Sequence, residues 1–195
     1  MKNNLIKHTI SQFSLSSFLI KMIVIILLTA IPFRGFSQAS VYVLKAVYLE
    51  KFSRFITWPE ECSMDDPNQP FIISVIGKSP LTENLKQIYA IKEIKKKRVI
   101  INQIEDLKDI EGCHILFIAE SEKNKLDKII ALTKHQPILT VSETKGFAEK
   151  GVLINFYEED NKLRFEINET AVFKSPLQMS FYLLNSAKIV KPVEE

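Results

Sequence analysis

Few side chains in this sequence have the types and spacing that chemistry requires. After residue 39 the histidines are His114 and His135, and neither has a second histidine or cysteine at metal-ligand spacing. No glycine-rich phosphate loop follows a predicted strand. Ser74, Ser121 and Ser142 lack the context of a nucleophile elbow, which argues against acyl transfer. We therefore expect a protein that is not an enzyme and that uses no cofactor or metal.

The two cysteines, Cys62 and Cys113, leave two interpretations open. In an oxidising compartment they could pair, because exported proteins commonly form disulfides. Alternatively, Cys113 is a buried free thiol, since it opens the apolar segment CHILFIA and buried thiols are common.

The N-terminal segment, residues 1–39, has the layout of a secretory signal peptide. Basic residues precede an apolar run at 22–31, and small residues follow at Gly35, Ser37 and Ala39. The run is shorter than the roughly 20 residues that a membrane-spanning helix needs. We expect cleavage after Ser37 or Ala39 and export to the periplasm, with an uncleaved anchor as the alternative.

The net charge depends on this segment. The chain has 26 basic and 23 acidic residues, and removing Lys2, Lys7, Lys21 and Arg34 leaves 22 basic against 23 acidic. A nearly neutral domain offers no electrostatic basis for binding nucleic acid. The basic run at 95–98 is predicted to be the solvated entry to a strand.

Residues 40–195 suffice for one domain with its own core. Short apolar segments alternate with segments of helical periodicity, which is typical of an α/β protein with a mainly parallel, helix-flanked sheet. The pattern predicts helices at 41–57, 81–91, 122–132 and 177–190, and strands at 71–76, 99–101, 114–118 and 137–141. The first helix is expected to stop at Trp58-Pro59, and the last to turn Leu177, Phe181, Leu184 and Ile189 toward the core. The apolar stripe of the first helix comprises Leu44, Val47, Tyr48, Phe52, Phe55 and Ile56.

An antiparallel β-hairpin is predicted to extend this sheet. Residues 152–157 and 163–168 each alternate between apolar and polar side chains around a polar turn. Because neighbouring strand residues face opposite ways, Asn155, Arg164, Glu166 and Asn168 share one face. They form either a cross-strand polar ladder or part of a partner surface.

The end of the first predicted helix carries an aromatic cluster, Tyr48, Phe52, Phe55 and Trp58, beside Arg54. Aromatic residues and arginine are enriched at the centres of protein interfaces. Rings at helical spacing also pack into cores, so both interpretations stand. Arg54, Phe55 and Trp58 are the candidate partner contacts.

A small-ligand site is the alternative function. In open α/β sheets, ligands bind beyond the carboxyl ends of the strands. Here Ser142, Glu143 and Thr144 follow a predicted strand and supply polar groups for such a site.

Four segments, taken together and in order, resemble the YfiR-like family of exported bacterial proteins. They are KAVYLEKFSRFITWPE at 45–60, PFIISVIG at 70–77, CHILFIAESE at 113–122, and PILTVSETKGFAEKGVLINFYEEDNKLRFEIN at 137–168. The resemblance covers nearly all of the chain after the predicted signal peptide.

This resemblance implies a small periplasmic α/β protein, often a homodimer. The best-studied role in the family is to bind the periplasmic part of a membrane-anchored diguanylate cyclase and hold it inactive. Release raises cyclic di-GMP, which favours biofilm. Other members occur beside sensor kinases or outer-membrane transport systems, so the partner varies.

Two departures from the family pattern concern redox control. Glu149, Lys150 and Gly151 stand where glycine pairs are usual, and two cysteines allow one disulfide. Control by two disulfides, as in some relatives, is therefore not expected here.

Overall fold

The computed structural model describes Lys21 and residues 35–191, with side-chain environments at Lys21 and from Val41 onward. Contacts divide the chain into two units, Met1–Ala39 and Ser40–Glu195. Most of the predicted signal peptide lies outside the described residues, so its cleavage stays a prediction. Within the described part, no helix is long and apolar enough to cross a membrane.

The first helix, α1, spans Gly35–Arg54, and a short strand, β1, follows at Ile56–Thr57. The helix ends earlier than the predicted stop at Trp58-Pro59, because Ile56 and Thr57 pair with a distant strand. Its buried face is also rotated from the predicted stripe. Leu49 is fully buried, whereas Leu44 remains exposed.

The seven strands of the main sheet follow. They are β2 (Phe71–Ile76), β3 (Val99–Ile104), β4 (Ile115–Ile118), β5 (Leu139–Ser142), β6 (Ile154–Glu159), β7 (Lys162–Asn168) and, after a short β8 (Gln178–Met179), β9 (Lys188–Val190). Their order is β3-β2-β4-β5-β6-β7-β9. The first five run parallel, β7 is antiparallel to β6, and β9 is parallel to β7. The predicted α/β class, with a mainly parallel sheet extended by an antiparallel hairpin, is confirmed.

Helices connect these strands. The α-helices after α1 are α2 (Leu81–Tyr89), α3 (Leu126–Thr133), α4 (Glu169–Lys174) and α5 (Phe181–Asn185). Short 3-10 helices occupy Glu60–Cys62, Leu107–Ile110 and Glu120–Lys125. The sequence pattern therefore places α2 and α3 within a few residues but does not predict α4.

Two hydrophobic cores pack on the β2-β4-β5 region of the sheet. One contains Leu49 and Phe52 of α1 with strand residues such as Phe117, and the other contains Ile129 of α3 with Leu116. Because strand side chains alternate between faces, Leu116 and Phe117 serve opposite cores. The sheet is thus covered on both faces, as parallel sheets require.

The hairpin is tight and lies inside the sheet. Asp160 and Asn161 have φ of 53° and 56°, the left-handed region that a two-residue hairpin turn uses and that these residue types tolerate. Both edges of the hairpin are paired, because β6 also pairs with β5, and β7 with β9. At the base of the hairpin, the side chains on both faces are buried. Asn155, Glu166 and Asn168 are accordingly buried.

The prediction of one helix over 177–190 is wrong. Leu177 is buried as expected, but Phe181 and Ile189 are exposed. The segment instead forms β8, the one-turn helix α5, and β9. Strand pairing explains the difference, because β8 and β9 gain partners in β1 and β7 that a helix would lack. Local apolar spacing contains no information about these distant strands.

Substitution of Phe52 tests the packing of α1 against the hairpin. Its ring centroid lies 5.6 Å from that of Phe156 and 4.9 Å from that of Phe165. Phe52→Ala should lower the free energy of unfolding by about 3–5 kcal/mol, because a buried ring is lost and a cavity remains. Phe173→Ala removes an exposed ring and should change it by less than about 0.5 kcal/mol. Equal urea midpoints for the two variants would contradict this packing.

Candidate functional site

The predicted partner contacts at the end of α1 lie in different environments. Arg54 is exposed and its Nε pairs with the carboxylate of Glu50, one turn earlier. Phe55 is 42% exposed, whereas Trp58 is only 5% exposed. The Trp58 ring meets Phe71 edge to face at 5.6 Å between centroids. Of the aromatic candidates, Phe55 therefore offers accessible apolar surface and Trp58 is largely core.

A two-stranded ladder brings Phe55 next to the C-terminal part of the chain. β1 pairs antiparallel with β8, with Ile56 opposite Met179. Beside it, Ser180 N donates to Phe55 O at 2.9 Å. Ser180 also caps α5, since its Oγ accepts from Leu183 N at 3.3 Å. The first residues of α5 are thereby held beside the end of α1.

Those first residues of α5 are large exposed aromatics that the sequence reasoning missed. Phe181 is 70% exposed and Tyr182 is 78% exposed. We call Phe55, Phe181 and Tyr182, with the neighbouring Arg54, the aromatic patch. Aromatic and arginine side chains grouped on a surface are typical of interface centres. The predicted helix over 177–190 concealed the patch, because it assigned Phe181 to the core.

The hairpin candidates form a short polar ladder. Asn155 Nδ2 donates to Glu166 Oε1 at 3.1 Å across the strands, and Lys188 Nζ lies 3.5 Å from Glu166 Oε2. Arg164 is exposed, with its Nε 2.9 Å from Glu159 Oε2. Asn155 and Glu166 are buried within the chain, so Arg164 is the hairpin candidate accessible to a partner.

Asn168 has a different role at the end of the hairpin. Its Oδ1 accepts from Ala171 N at 2.8 Å and caps α4, while its Nδ2 donates to Ala148 O at 2.7 Å. An asparagine N-cap satisfies a free amide at the helix start. This side chain therefore joins β7, α4 and the loop before β6.

Two of the three predicted ligand residues at the end of β5 have side chains committed to contacts within the protein. Ser142 Oγ donates to Ile118 O at 2.8 Å, and Glu143 forms an ion pair with Lys45 of α1. Glu143 also faces Tyr42, whose pKa is raised by burial and by this neighbouring carboxylate. Thr144 is partly buried and its Oγ1 has no hydrogen-bond partner among the described residues.

The strand order reverses between the parallel strands β2 and β4, because β3 lies on one side of them and β5 on the other. Ligands commonly bind to α/β proteins at such a point, beyond the carboxyl ends of the strands. Here the two loops fill that crevice. Lys78 N donates to Ser121 Oγ at 3.0 Å, and a Cβ on Gly77 would lie 2.4 Å from the same oxygen. Glycine permits this close approach because it has no Cβ, and it also tolerates the positive φ of 83° found here.

Cys62 and Cys113 are free thiols in this structure. Burial raises the pKa of Cys113 to about 12, and burial followed by the charge of Glu61 raises that of Cys62. A raised pKa keeps a thiol protonated and unreactive. Among the described residues, no group of three or more His, Cys, Asp or Glu could hold a metal ion.

The burial of one lysine was not predicted from the sequence. Lys97, in the basic run expected to be solvated, is 1% exposed. Its Nζ donates to the carbonyls of Ser63, Asp66 and Gln69 and so holds the loop before β2. Charge runs are usually solvated, and the sequence gives no signal for this exception.

From Ser40 onward the described residues form a single-domain α/β protein, and its accessible candidate residues, Arg54, Phe55 and Arg164, lie on the surface. Residues 42–188 match the model of the family described as YfiR/HmsC-like, and the chain belongs to this family. The resemblance of the four sequence segments is thereby confirmed. No curated protein matches the chain. At the level of the family, membership supports a periplasmic regulator of cyclic di-GMP signalling from a non-catalytic family.

Lys97→Met tests whether Lys97 holds the loop before β2 through its three hydrogen bonds. Because hydrogen bonds from a charged donor to three carbonyls are lost, we expect the free energy of unfolding to fall by about 2–4 kcal/mol. Lys96→Met, at an exposed neighbour, should change it by less than about 0.5 kcal/mol. Urea unfolding measures both. If hydrogen exchange at residues 63–69 is unchanged in Lys97→Met, Lys97 does not hold this loop.

Because the imidazole of His114 is partly buried, we expect the stability of the fold to depend on pH. Its pKa is lowered by burial and then by the charge of Lys97, while its Nδ1 accepts from Ile72 N at 2.9 Å. The unfolded chain therefore binds the proton more readily than the folded one. Stability is fully present above the unfolded pKa of about 6.5 and should fall as pH drops below it.

Urea midpoints between pH 7.5 and 5.5 measure this effect. His114→Gln should remove the decline, because glutamine does not titrate. His135→Gln, at an exposed histidine, should retain it. A decline of the same size in both variants would assign the pH dependence to other groups.

Proposed function

We propose that this protein is a non-catalytic periplasmic regulator that binds the periplasmic part of a membrane-anchored diguanylate cyclase and holds it inactive. Membership of the YfiR/HmsC-like family supports the regulatory class. The observation that carries the proposal is the aromatic patch, which exposes Phe55, Phe181 and Tyr182 beside Arg54. Export by a cleaved signal peptide is part of the proposal, because the partner domain lies outside the cytoplasmic membrane.

The aromatic patch has the composition of an interface centre. Large rings contribute apolar area with few rotatable bonds, and truncation of a central ring commonly costs more than 1 kcal/mol of binding. Arg54 adds a charge on the same surface, although its pairing with Glu50 neutralises part of it. The backbone below the patch is held by the β1–β8 ladder, so little ordering would be needed on binding.

Arg164 is a second candidate contact on the exposed tip of the hairpin. Asn155 and Glu166 would act through it, since their buried hydrogen bond fixes the strand pair that presents it. We assign them a positioning role in partner binding. Homodimerisation, which the family resemblance implies, is compatible with this arrangement.

Substitution of Phe181 tests the patch. Phe181→Ala should weaken binding to the partner by about tenfold or more, with little change in stability because the ring is 70% exposed. Leu132→Ala is the matched control, since Leu132 is exposed on α3, whose core packs on the opposite sheet face. Co-purification from detergent-solubilised membranes, with quantification by mass spectrometry, measures the binding.

Cellular cyclic di-GMP provides the functional measurement. Deleting the gene should raise its level, and the wild-type chain should restore it, whereas the Phe181→Ala variant should restore it only in part. Unchanged cyclic di-GMP in the deletion strain would exclude control of a cyclase. Full restoration by Phe181→Ala would remove the patch from the proposal.

A further inference from the structure

The strand β3 forms one edge of the main sheet, and among the described residues its outer side pairs with no other strand. On its inner side it pairs with β2, where Phe71 N donates to Arg98 O at 2.9 Å. Backbone direction alternates along a parallel ladder, so this bond fixes which residues of β3 face outward. The N–H and C=O groups that face away from the sheet belong to Val99, Ile101 and Gln103.

This edge is accessible and apolar along its first half. Val99, Ile100 and Ile101 are each partly exposed. The strand has six residues, whereas β9 at the other edge of the sheet has three. A strand with open backbone groups is a template for pairing with a further strand. β3 is therefore the edge of this sheet that is better suited to pairing.

The chain just before β3 is basic on its surface. The exposed cations of this basic end are Lys92, Lys95, Lys96 and Arg98. None of them forms an ion pair with a described residue. Glu93 and the neighbouring Asp65 oppose this charge without reversing its sign.

The chain just after β3 is acidic on its surface. The exposed carboxylates of this acidic end are Glu105, Asp106, Asp109 and Glu111. Lys108 Nζ lies 3.3 Å from Asp106 Oδ2, and Lys125 is also close, so part of the charge is offset and the sign stays negative. The two ends of β3 therefore carry opposite charges.

A tight turn holds the basic end in place. Ile94 N donates to Lys97 O at 3.1 Å, and Lys97 N donates to Ile94 O at 2.9 Å. Both of these residues are buried. Lys95 and Lys96, with φ of 51° and 60°, form the tip of the turn. The backbone that carries the two tip ammonium groups is thus fixed relative to β3, so little ordering is needed on binding.

We propose that β3 is the contact strand of a homodimer, in which two copies pair their β3 strands antiparallel about a two-fold axis at Ile101. Val99 of each copy then faces Gln103 of the other, and the three outward-facing positions exchange about six backbone hydrogen bonds. The two main sheets become one continuous sheet. This interface belongs to the homodimer that the family resemblance implies, and it requires neither the aromatic patch nor a cyclase.

Charge complementarity favours a second copy of this chain as the occupant of the edge. Antiparallel pairing places the basic end of each copy beside the acidic end of the other, with Lys96 opposite Asp106. Because the axis is two-fold, the same contact occurs twice. A parallel pairing would bring like charges together at both ends, which is unfavourable.

Sedimentation equilibrium of the purified protein measures the dimer. Lys96→Glu should weaken dimerisation by about tenfold, because two attractive contacts become repulsive, and Asp106→Lys should weaken it similarly. Lys162→Glu, the same charge change at the exposed tip of the hairpin, should leave it unchanged. A wild-type protein that stays monomeric at micromolar concentrations, or equal weakening in the control, would overturn the proposal.

Mixing the two weakened variants tests the two-fold arrangement. A heterodimer of Lys96→Glu with Asp106→Lys joins opposite charges at both of its ends. An equimolar mixture should therefore dimerise about as tightly as the wild-type protein, although neither variant does so alone. A mixture that dimerises no better than its components would overturn the antiparallel register.

Hydrogen exchange followed by NMR reads the interface at single residues. The N–H of Ile101 faces outward, so it should be protected where the protein is dimeric and exchange rapidly where dilution makes it monomeric. The N–H of Asn102 faces β2 and should stay protected at both concentrations. Rapid exchange of Ile101 in the dimer would show that the copies meet elsewhere.

The dimer and the proposed regulatory function fail separately in these tests. Sedimentation and hydrogen exchange need no cyclase, so a negative result there differs from unchanged cyclic di-GMP in the deletion strain. Phe181→Ala leaves β3 and its flanks unchanged and should remain dimeric. Loss of the dimer in this variant would assign dimerisation to the aromatic patch and overturn the role of β3.

Discussion

Packing of Phe52 against Phe156 and Phe165 positions α1 on its face of the sheet. It fixes α1 over the hairpin, although the two are separated by about half the chain. Because β1 follows α1 directly, the same contact determines where Ile56 and Thr57 can meet β8. Because α5 follows β8 along the chain, the position of the aromatic patch depends on the packing of Phe52. None of the patch residues takes part in that packing.

Polar groups in this domain mostly stabilise backbone. Lys97 holds three carbonyls of one loop, Ser142 binds a neighbouring strand, and Asn168 caps α4. Side chains committed in this way are held in place, since breaking their contacts would leave buried backbone groups unpaired. This arrangement is consistent with a regulator from a non-catalytic family.

Periodicity predicted those parts of the fold in which local pattern and tertiary environment agree. The buried strand at 71–76 and the hairpin alternation are of this kind, because their apolar runs match the faces that the sheet covers. The C-terminal segment is not of this kind, because β8 and β9 form through pairing with β1 and β7.

The same limit of local pattern applies to the candidate functional site. Arg54 and Phe55 could be proposed from composition, but Phe181 and Tyr182 join them only through that pairing. Burial of Lys97 likewise depends on a loop about 30 residues earlier.

The β1–β8 ladder joins residues more than a hundred positions apart in the sequence. Contacts of such separation form late, because the entropy of closing a long loop must be overcome first. A chain that is still unfolded, or that has lost its last residues, therefore displays Phe55 without Phe181. Recognition through the aromatic patch, as proposed above, would therefore distinguish a completely folded protein from an incomplete one.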